Sequence, residues 1–235
     1  MRIAALICFM IFYAVLCGCS KENAPVNMST PTATTVSTPE NEPGKPVIIA
    51  FGDSLTAGFG LADPKKNYPS LLQDSLAREG FDYHVINLGS SGDTSSGGVK
   101  RLWLALKYKQ VEIFVLELGA NDIVKKVPAI EIRSNLAEII KQVKVSGAKV
   151  ILCGYTAPSS LGDEYSVEIR RMYAELAREY DLPLIPDFMQ DVRENPERMQ
   201  ADGIHPNEKG AEIIEQNVRT VVKTLLAKNN DGHKK

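Results

Sequence analysis

The sequence predicts an α/β fold, a three-layer α/β/α sandwich with a mostly parallel central sheet, on two observations. Short apolar runs such as Val47–Phe51 and Val111–Leu118 alternate with segments of helical periodicity after Pro46. Within those runs successive positions are apolar, so both faces expect cover, as in strands of a parallel sheet held between two helical layers. The first strand is Val47-Ile48-Ile49-Ala50-Phe51. Next comes a helix in which Tyr68, Leu71, Leu72, Ser75 and Leu76 share a face, stopped by Gly80. Tyr83 to Leu88 reads as the second strand, and Val99, Leu102, Trp103 and Leu106 mark a helix before the third strand, Val111 to Leu118. Ile132, Leu136, Ile139, Ile140 and Val143 line a helix ending at Gly147, followed by the strand Lys149 to Cys153. Tyr165, Ile169, Met172, Tyr173 and Leu176 mark another helix before a short strand around Leu184-Ile185. The last helix runs from Pro206 and carries Ile213, Ile214, Val218, Val221, Val222 and Leu225.

In open parallel sheets, sites gather at the carboxyl ends of the strands. Four segments fall there: Gly52-Asp53-Ser54, Gly89-Ser90-Ser91-Gly92-Asp93-Thr94, Gly119-Ala120-Asn121-Asp122 and, late in the chain, Asp202-Gly203-Ile204-His205. A serine hydroxyl is a poor nucleophile until a base takes its proton, and an imidazole held by a carboxylate is the usual means. The chain has three histidines. His84 sits in an alternating strand pattern and His233 in the polar tail, which leaves His205 as the base for Ser54. A turn opened by Gly203 can bring the Asp202 carboxylate to one imidazole nitrogen and leave the other for Ser54. Pro206 biases His205 toward an extended backbone and suits the first position of the following helix. An oxyanion would be met by the N–H of Ser54, the N–H of Gly92 and the side-chain amide of Asn121, with Gly119 making room for a tight turn.

Taken singly, each segment has a plainer explanation. Ser54 reads as a helix N-cap beside Asp53, Gly92 and Gly119 as turn glycines, and Asn121-Asp122 as another cap. All four in order at strand ends are harder to dismiss. Asp53, Asp93 and Asp122 could suggest a metal cluster, but only His205 is placed to join them, so no metal is expected. Asp53 and Asp93 read instead as hydrogen-bonding groups that brace their loops. No phosphate loop or dinucleotide fingerprint occurs, so no cofactor is expected. Gly52-Asp53-Ser54-Leu55-Thr56 is not the Gly-x-Ser-x-Gly elbow of α/β-hydrolases. Cys153, ending an apolar run, reads as a small buried hydrophobe.

The four blocks resemble those of the SGNH hydrolases, also called the GDSL family, and the match extends from Val47 to the last helix. Ser91–Ser95, Glu117–Asp122 and Asp202–Asn207 are most similar to the bacterial branch of acyl-thioesterases, arylesterases and lysophospholipases. The resemblance implies a flavodoxin-like SGNH fold and a serine esterase that hydrolyses acyl esters through an acyl-enzyme, with lysophospholipids and acyl thioesters within its range. A polysaccharide O-acetyl esterase would share every catalytic residue. A non-catalytic binding lipoprotein is the alternative from another class. Gly154–Gly162 occupies the place of a flexible substrate-contacting loop in that branch, and here it is polar; an ordinary strand-to-helix connection is the plainer reading.

Met1-Arg2 precedes an apolar run from Ile3 to Leu16, the length of a signal-peptide core. Leu16-Cys17-Gly18-Cys19-Ser20 resembles the bacterial lipobox. Residues 1–18 are thus expected to be a lipoprotein signal peptide, with Cys19 lipidated; a plain secretory signal or a retained anchor is the alternative. Ser20, rather than Asp, resembles lipoproteins sent to the outer membrane, which implies the bacterial cell envelope, periplasm-facing, with acyl chains as the membrane contact. Residues 19–46, rich in Pro, Ser and Thr, read as a disordered tether. Residues 47–228 form one hydrolase domain and 229–235 a polar tail. With 27 basic against 29 acidic side chains, nucleic acid is not an expected partner.

Overall fold

The computed structural model describes residues 44–232. The expected signal peptide, Cys19, most of the tether and His233 lie outside the described residues. Five parallel strands, β1 (Val47–Gly52), β2 (His84–Gly89), β3 (Val111–Glu117), β4 (Lys149–Cys153) and β5 (Leu184–Ile185), form one sheet in the order β2-β1-β3-β4-β5. Seven α-helices accompany them among the described residues: α1 (Ser54–Ala57), α2 (Tyr68–Arg78), α3 (Ser95–Leu106), α4 (Ala120–Val124), α5 (Ala129–Val145), α6 (Asp163–Tyr180) and α7 (Glu208–Gly232).

Strand side chains alternate between faces, so an apolar run divides between two cores. Val47, Ile49 and Phe51 join Phe114, Leu116, Val150 and Leu152 beneath α3, α5 and α6. Ile48 and Ala50 join Ile113, Val115 and Ile151 beneath α2 and α7. The result is the expected α/β/α sandwich. The chain winds from β1 outward to β2, crosses back to β3 and continues to β4. The switch point therefore lies between β1 and β3, where such folds open a crevice at the carboxyl ends.

Three departures from the sequence reading have local causes. Helices α1 and α4 are too short to show a period. In α3 the buried face is Ser95, Gly98, Leu102 and Ala105, while Trp103 is 53% exposed with the Lys107 ammonium 3.9 Å from its ring centroid. A side chain at Gly98 would collide with Leu118, so this helix sits too close to the sheet to bury Trp103 as well. Helix α7 starts at Glu208, not Pro206. The Asn207 side chain accepts from Gly210 N at 3.1 Å, and Pro206 instead bridges antiparallel to Met199. Among the described residues no helix is long and apolar enough to cross a membrane.

Two substitutions on α5 separate core from surface. Leu136 is fully buried and Val145 is 89% exposed. Leu136→Ala is expected to cost about 2–5 kcal/mol in urea unfolding, and Val145→Ala no more than about 0.5 kcal/mol. Equal costs would contradict the burial of this face.

Candidate active site

The segment after β1 turns sharply because Asp53, not Ser54, is the cap. Asp53 Oδ1 accepts from Leu55 N at 3.0 Å, which makes Ser54 the first residue of α1. The Ser54 N–H thus lies at a helix start, where backbone donors have no intrahelical partner. The loop 198–207 comes back beside it. Asp202 Oδ1 accepts from Ile204 N at 2.9 Å and His205 N at 3.0 Å, a turn that Gly203 permits with φ 66°. Its Oδ2 lies 2.7 Å from His205 Nδ1, and His205 Nε2 lies 3.0 Å from Ser54 Oγ. These contacts align the carboxylate, imidazole and hydroxyl picked out in the sequence, so Nδ1 carries its proton toward Asp202 and Nε2 faces Ser54 as an acceptor. The hydrogen bond from the His205 side chain, then those from the His205 and Ile204 backbone, hold the solvent-facing Asp202 carboxyl down to about 2. Phe59, half exposed, lies against the imidazole with ring centroids 4.8 Å apart.

Asn121 joins the other two loops. Its Nδ2 donates to Asp53 Oδ2 at 2.9 Å and to the Asp93 carbonyl at 2.8 Å, linking the Ser54 turn to the Gly92 loop. Both amide hydrogens are thus engaged within the protein. Gly92 is exposed with φ 80°, and no protein acceptor takes its N–H or that of Ser54 among the described residues. Gly119, at φ 121°, leaves the space that the Tyr173 hydroxyl fills as it donates to Leu118 O at 2.8 Å. Asp93 and Asp53 brace their loops as expected. Asp122 does not cap its own turn, since α4 starts after Gly119 without a side-chain cap; it accepts instead from both the backbone N–H and the hydroxyl of Ser95, each at 2.7 Å. Cys153 is buried, and His84 opens β2 at the end of the strand opposite Gly89 and the Gly92 loop. Among the described residues, no three His, Cys, Asp or Glu side chains gather as a metal ligand set.

Three further residues shape this edge and escaped the sequence reading. Arg101 donates to Asp93, to Leu88 O at 2.7 Å and to Gly52 O at 2.7 Å, with its guanidinium 3.9 Å from the Phe51 ring centroid. Its signal was an arginine on the same helical face as Gly98 and Ala105. Gln200 donates to Phe59 O at 2.7 Å and Pro206 O at 2.9 Å, and its N–H donates to His205 O at 2.8 Å. It ties the loop after Ser54 to the loop of His205, and nothing in the sequence marked it. Glu117, 2% exposed, accepts from Thr56 Oγ1 at 2.8 Å and from Asp53 N at 3.2 Å. Its signal was a lone carboxylate in an otherwise apolar strand end.

Arg101→Lys keeps the charge but loses the planar fork that reaches three acceptors at once. A loss of about 2–3 kcal/mol in thermal unfolding is expected, as for charge-assisted bonds left partly unmade. A loss below about 0.5 kcal/mol would mean that these carbonyls do not depend on it.

Known proteins are similar to this chain over most of its length. The GDSL-like lipase/acylhydrolase family matches residues 50–213. Esterase TesA of Pseudomonas aeruginosa is 37% identical over 179 residues, covering 76% of this chain and 89% of that protein. Thioesterase 1/protease 1/lysophospholipase L1 of Escherichia coli K12 is 35% identical over 167 residues, 71% of this chain and 78% of its own. The crystal structure of the psychrotrophic esterase EstA from Pseudoalteromonas sp., inhibited by monoethylphosphonate, superposes with a TM-score of 0.73 at 29% identity, covering 77% of this chain and 98% of that one. With its sheet order, its strand-end segments and these matches in agreement, the chain belongs to the GDSL-like lipase/acylhydrolase family, the SGNH hydrolases, and is a carboxylic ester hydrolase.

Proposed function

We propose that Ser54 is the nucleophile of ester hydrolysis, His205 its base and Asp202 the carboxylate that orients His205. The observation that supports this best is the unbroken chain Asp202 Oδ2–His205 Nδ1 and His205 Nε2–Ser54 Oγ, at 2.7 and 3.0 Å. As Oγ attacks the ester carbonyl, Nε2 takes its proton, and the carbonyl oxygen becomes an oxyanion. Ser54 N–H, Gly92 N–H and Asn121 Nδ2–H receive that charge. For Asn121 this means sharing or exchanging one of its two present bonds, to Asp53 or to Asp93 O. The imidazolium then protonates the leaving alkoxide, and the acyl-enzyme remains. Water enters, gives its proton to Nε2 and attacks the acyl carbon; collapse returns the proton to Ser54 Oγ and releases the acid.

The range of acyl substrates follows from the relatives: an esterase and a protein named for thioesterase and lysophospholipase activities. We read this chain as an esterase of acyl esters, with lysophospholipids and acyl thioesters as further substrates. We also read residues 1–18 as a lipoprotein signal, Cys19 as the acylated N-terminus, 19–46 as a tether, 47–228 as the hydrolase domain and 229–235 as its tail. Such a protein would face the periplasm from the outer membrane. The support is the lipobox-like Leu16–Ser20 and the Pro- and Thr-rich segment after it, which would let the domain reach lipid and envelope esters nearby. Acyl-CoA, made in the cytoplasm, would then not be the native substrate.

Ser54→Ala and His205→Ala are each expected to lower kcat by about a thousandfold or more with the fold intact, and Asp202→Asn to be severely impaired. More than about a tenth of wild-type activity in either alanine variant would remove the assignment. A fluorophosphonate should label Ser54 in the folded protein, and EDTA should leave activity unchanged. Asn121→Ala should lower kcat by about a hundred- to thousandfold; an effect confined to KM would contradict its oxyanion role.

Wild-type protein is expected to fractionate with membranes, and Cys19→Ala to release a soluble, fully active enzyme. Processed but soluble wild-type protein would rule out the anchor. A panel of acyl chain lengths, lysophospholipids, acyl-CoA and acetylated sugars reads the substrate class; exclusive action on acetylated sugars would replace the acyl-ester reading.

A further inference from the structure

Beneath Ser54 lies a carboxyl pair that the hydrolysis scheme leaves unused. Asp53 and Glu117 are 1% and 2% exposed, and neither pairs with a Lys or Arg among the described residues. Glu117 Oε2 accepts from Asp53 N and from the Thr56 hydroxyl, 3.2 and 2.8 Å away. The place is shaped for it. Gly52 lies opposite Glu117 in the sheet, and a Cβ on Gly52 would come within 2.4 Å of Glu117 Oε2 and 2.1 Å of Thr56 Oγ1. The carboxyl thus fills the side-chain space of the neighbouring strand. Two adjoining carboxyls in a dry place without a cation cannot both ionise. Asp53 has the better donors for a charge, Leu55 N at 3.0 Å and Asn121 Nδ2 at 2.9 Å.

We propose that Glu117 is a positioning residue for ester hydrolysis: it remains a neutral carboxylic acid, shares its proton with Asp53, and so keeps Asp53 charged and gripping the Asn121 amide and the first turn of α1. The inference deepens the assignment of Ser54 and Asn121 above and rests on it. Burial pushes both acids up. Asp53 reaches about 6, held from rising further by Leu55 N, the Glu117 side chain, His205 and Asn121; Glu117 goes well above the usual carboxylate range, through burial and then the charge of Asp53. The other titratable groups that sense the pair are Tyr68 of α2, Cys153 of β4, Tyr155 shortly after it, which burial also raises, Tyr173 of α6 and His205. Burial raises Tyr68, Cys153 and Tyr173 well above their usual values, so they stay neutral beside it. Because the Asp53 value is raised, its carboxylate is present above about 6 and lost as pH falls through that value. The charge that strengthens the bond from Asn121 goes with it.

Glu117→Leu and Glu117→Gln separate this role from packing. Glu117→Leu removes the donor to Asp53; kcat is expected to fall on the order of tenfold to a hundredfold with KM within about twofold. Its acid limb should move to higher pH, since Asp53 loses a bond that favours its charged form. Glu117→Gln, which offers an N–H to Asp53 and an oxygen to Thr56, should recover most of that loss. Infrared difference spectra of wild type against Glu117→Gln at about pH 8, far above an ordinary Glu, should show a carboxylic-acid C=O band in wild type alone. A folded Glu117→Gln as impaired as Glu117→Leu, an unaltered kcat in Glu117→Leu, or no acid band would overturn the proposal. Should Glu117→Leu fail to fold, the Glu117→Gln kinetics and the infrared band decide. Ser54→Ala run in parallel keeps the two readings apart: its activity tests the nucleophile, while the band reports only where the proton resides.

Discussion

Gly52 of β1 and Glu117 of β3 lie opposite each other at the carboxyl end of the sheet, and the site depends on that pairing. It places the turn after β1, with Ser54, beside the turn after β3, with Asn121. The Glu117 carboxyl occupies the room that Gly52 leaves and takes the Asp53 N–H, so the turn is held from below. A strand slip of one residue would invert every side chain and remove this contact. The two apolar cores that pack against opposite faces of the strands hold the register against such a slip.

Polar groups at this edge are satisfied almost entirely by one another. Asp53 accepts from Leu55 N and Asn121; Asn121 also donates to Asp93 O; Asp93 accepts from Arg101; and Arg101 reaches Gly52 O at the end of β1 and Leu88 O of β2. Removing one member leaves another buried group unpaired, which costs more than the bond itself is worth. Such a network is rigid, and rigidity suits donors that must already point at a developing charge. It also leaves Asn121 committed before any substrate arrives.

The sheet and both layers were readable because long apolar periods report cover, and the strand-end segments because serine, histidine and carboxylate chemistry limits which residues can act. Only one histidine stood at a useful place, so Asp202, His205 and Ser54 could be grouped without coordinates, and the structure brings their side chains into contact. What could not be read depends on proximity across the fold. Gln200 has no local pattern, and its importance lies in two backbone carbonyls from different loops. Trp103 has the right period for a buried face, yet the close approach at Gly98 leaves it outside. Pro206 looked like a helix start, but the Asn207 cap shifted that start by two residues and left the proline to pin the loop of His205.

Ser54 and His205 stand 151 residues apart, one following the first strand and the other just before the final helix. Their meeting therefore requires nearly the whole domain to be wound. Contacts of such long sequence separation form late, after the loop-closure entropy between them has been offset by intervening structure. On the proposed roles, a growing or unfolded chain holds Ser54 with no base at hand. With Ser54 and His205 in the proposed roles, hydrolytic competence is a report on completed folding: a polypeptide halted before Asp202 carries the serine turn without its partners.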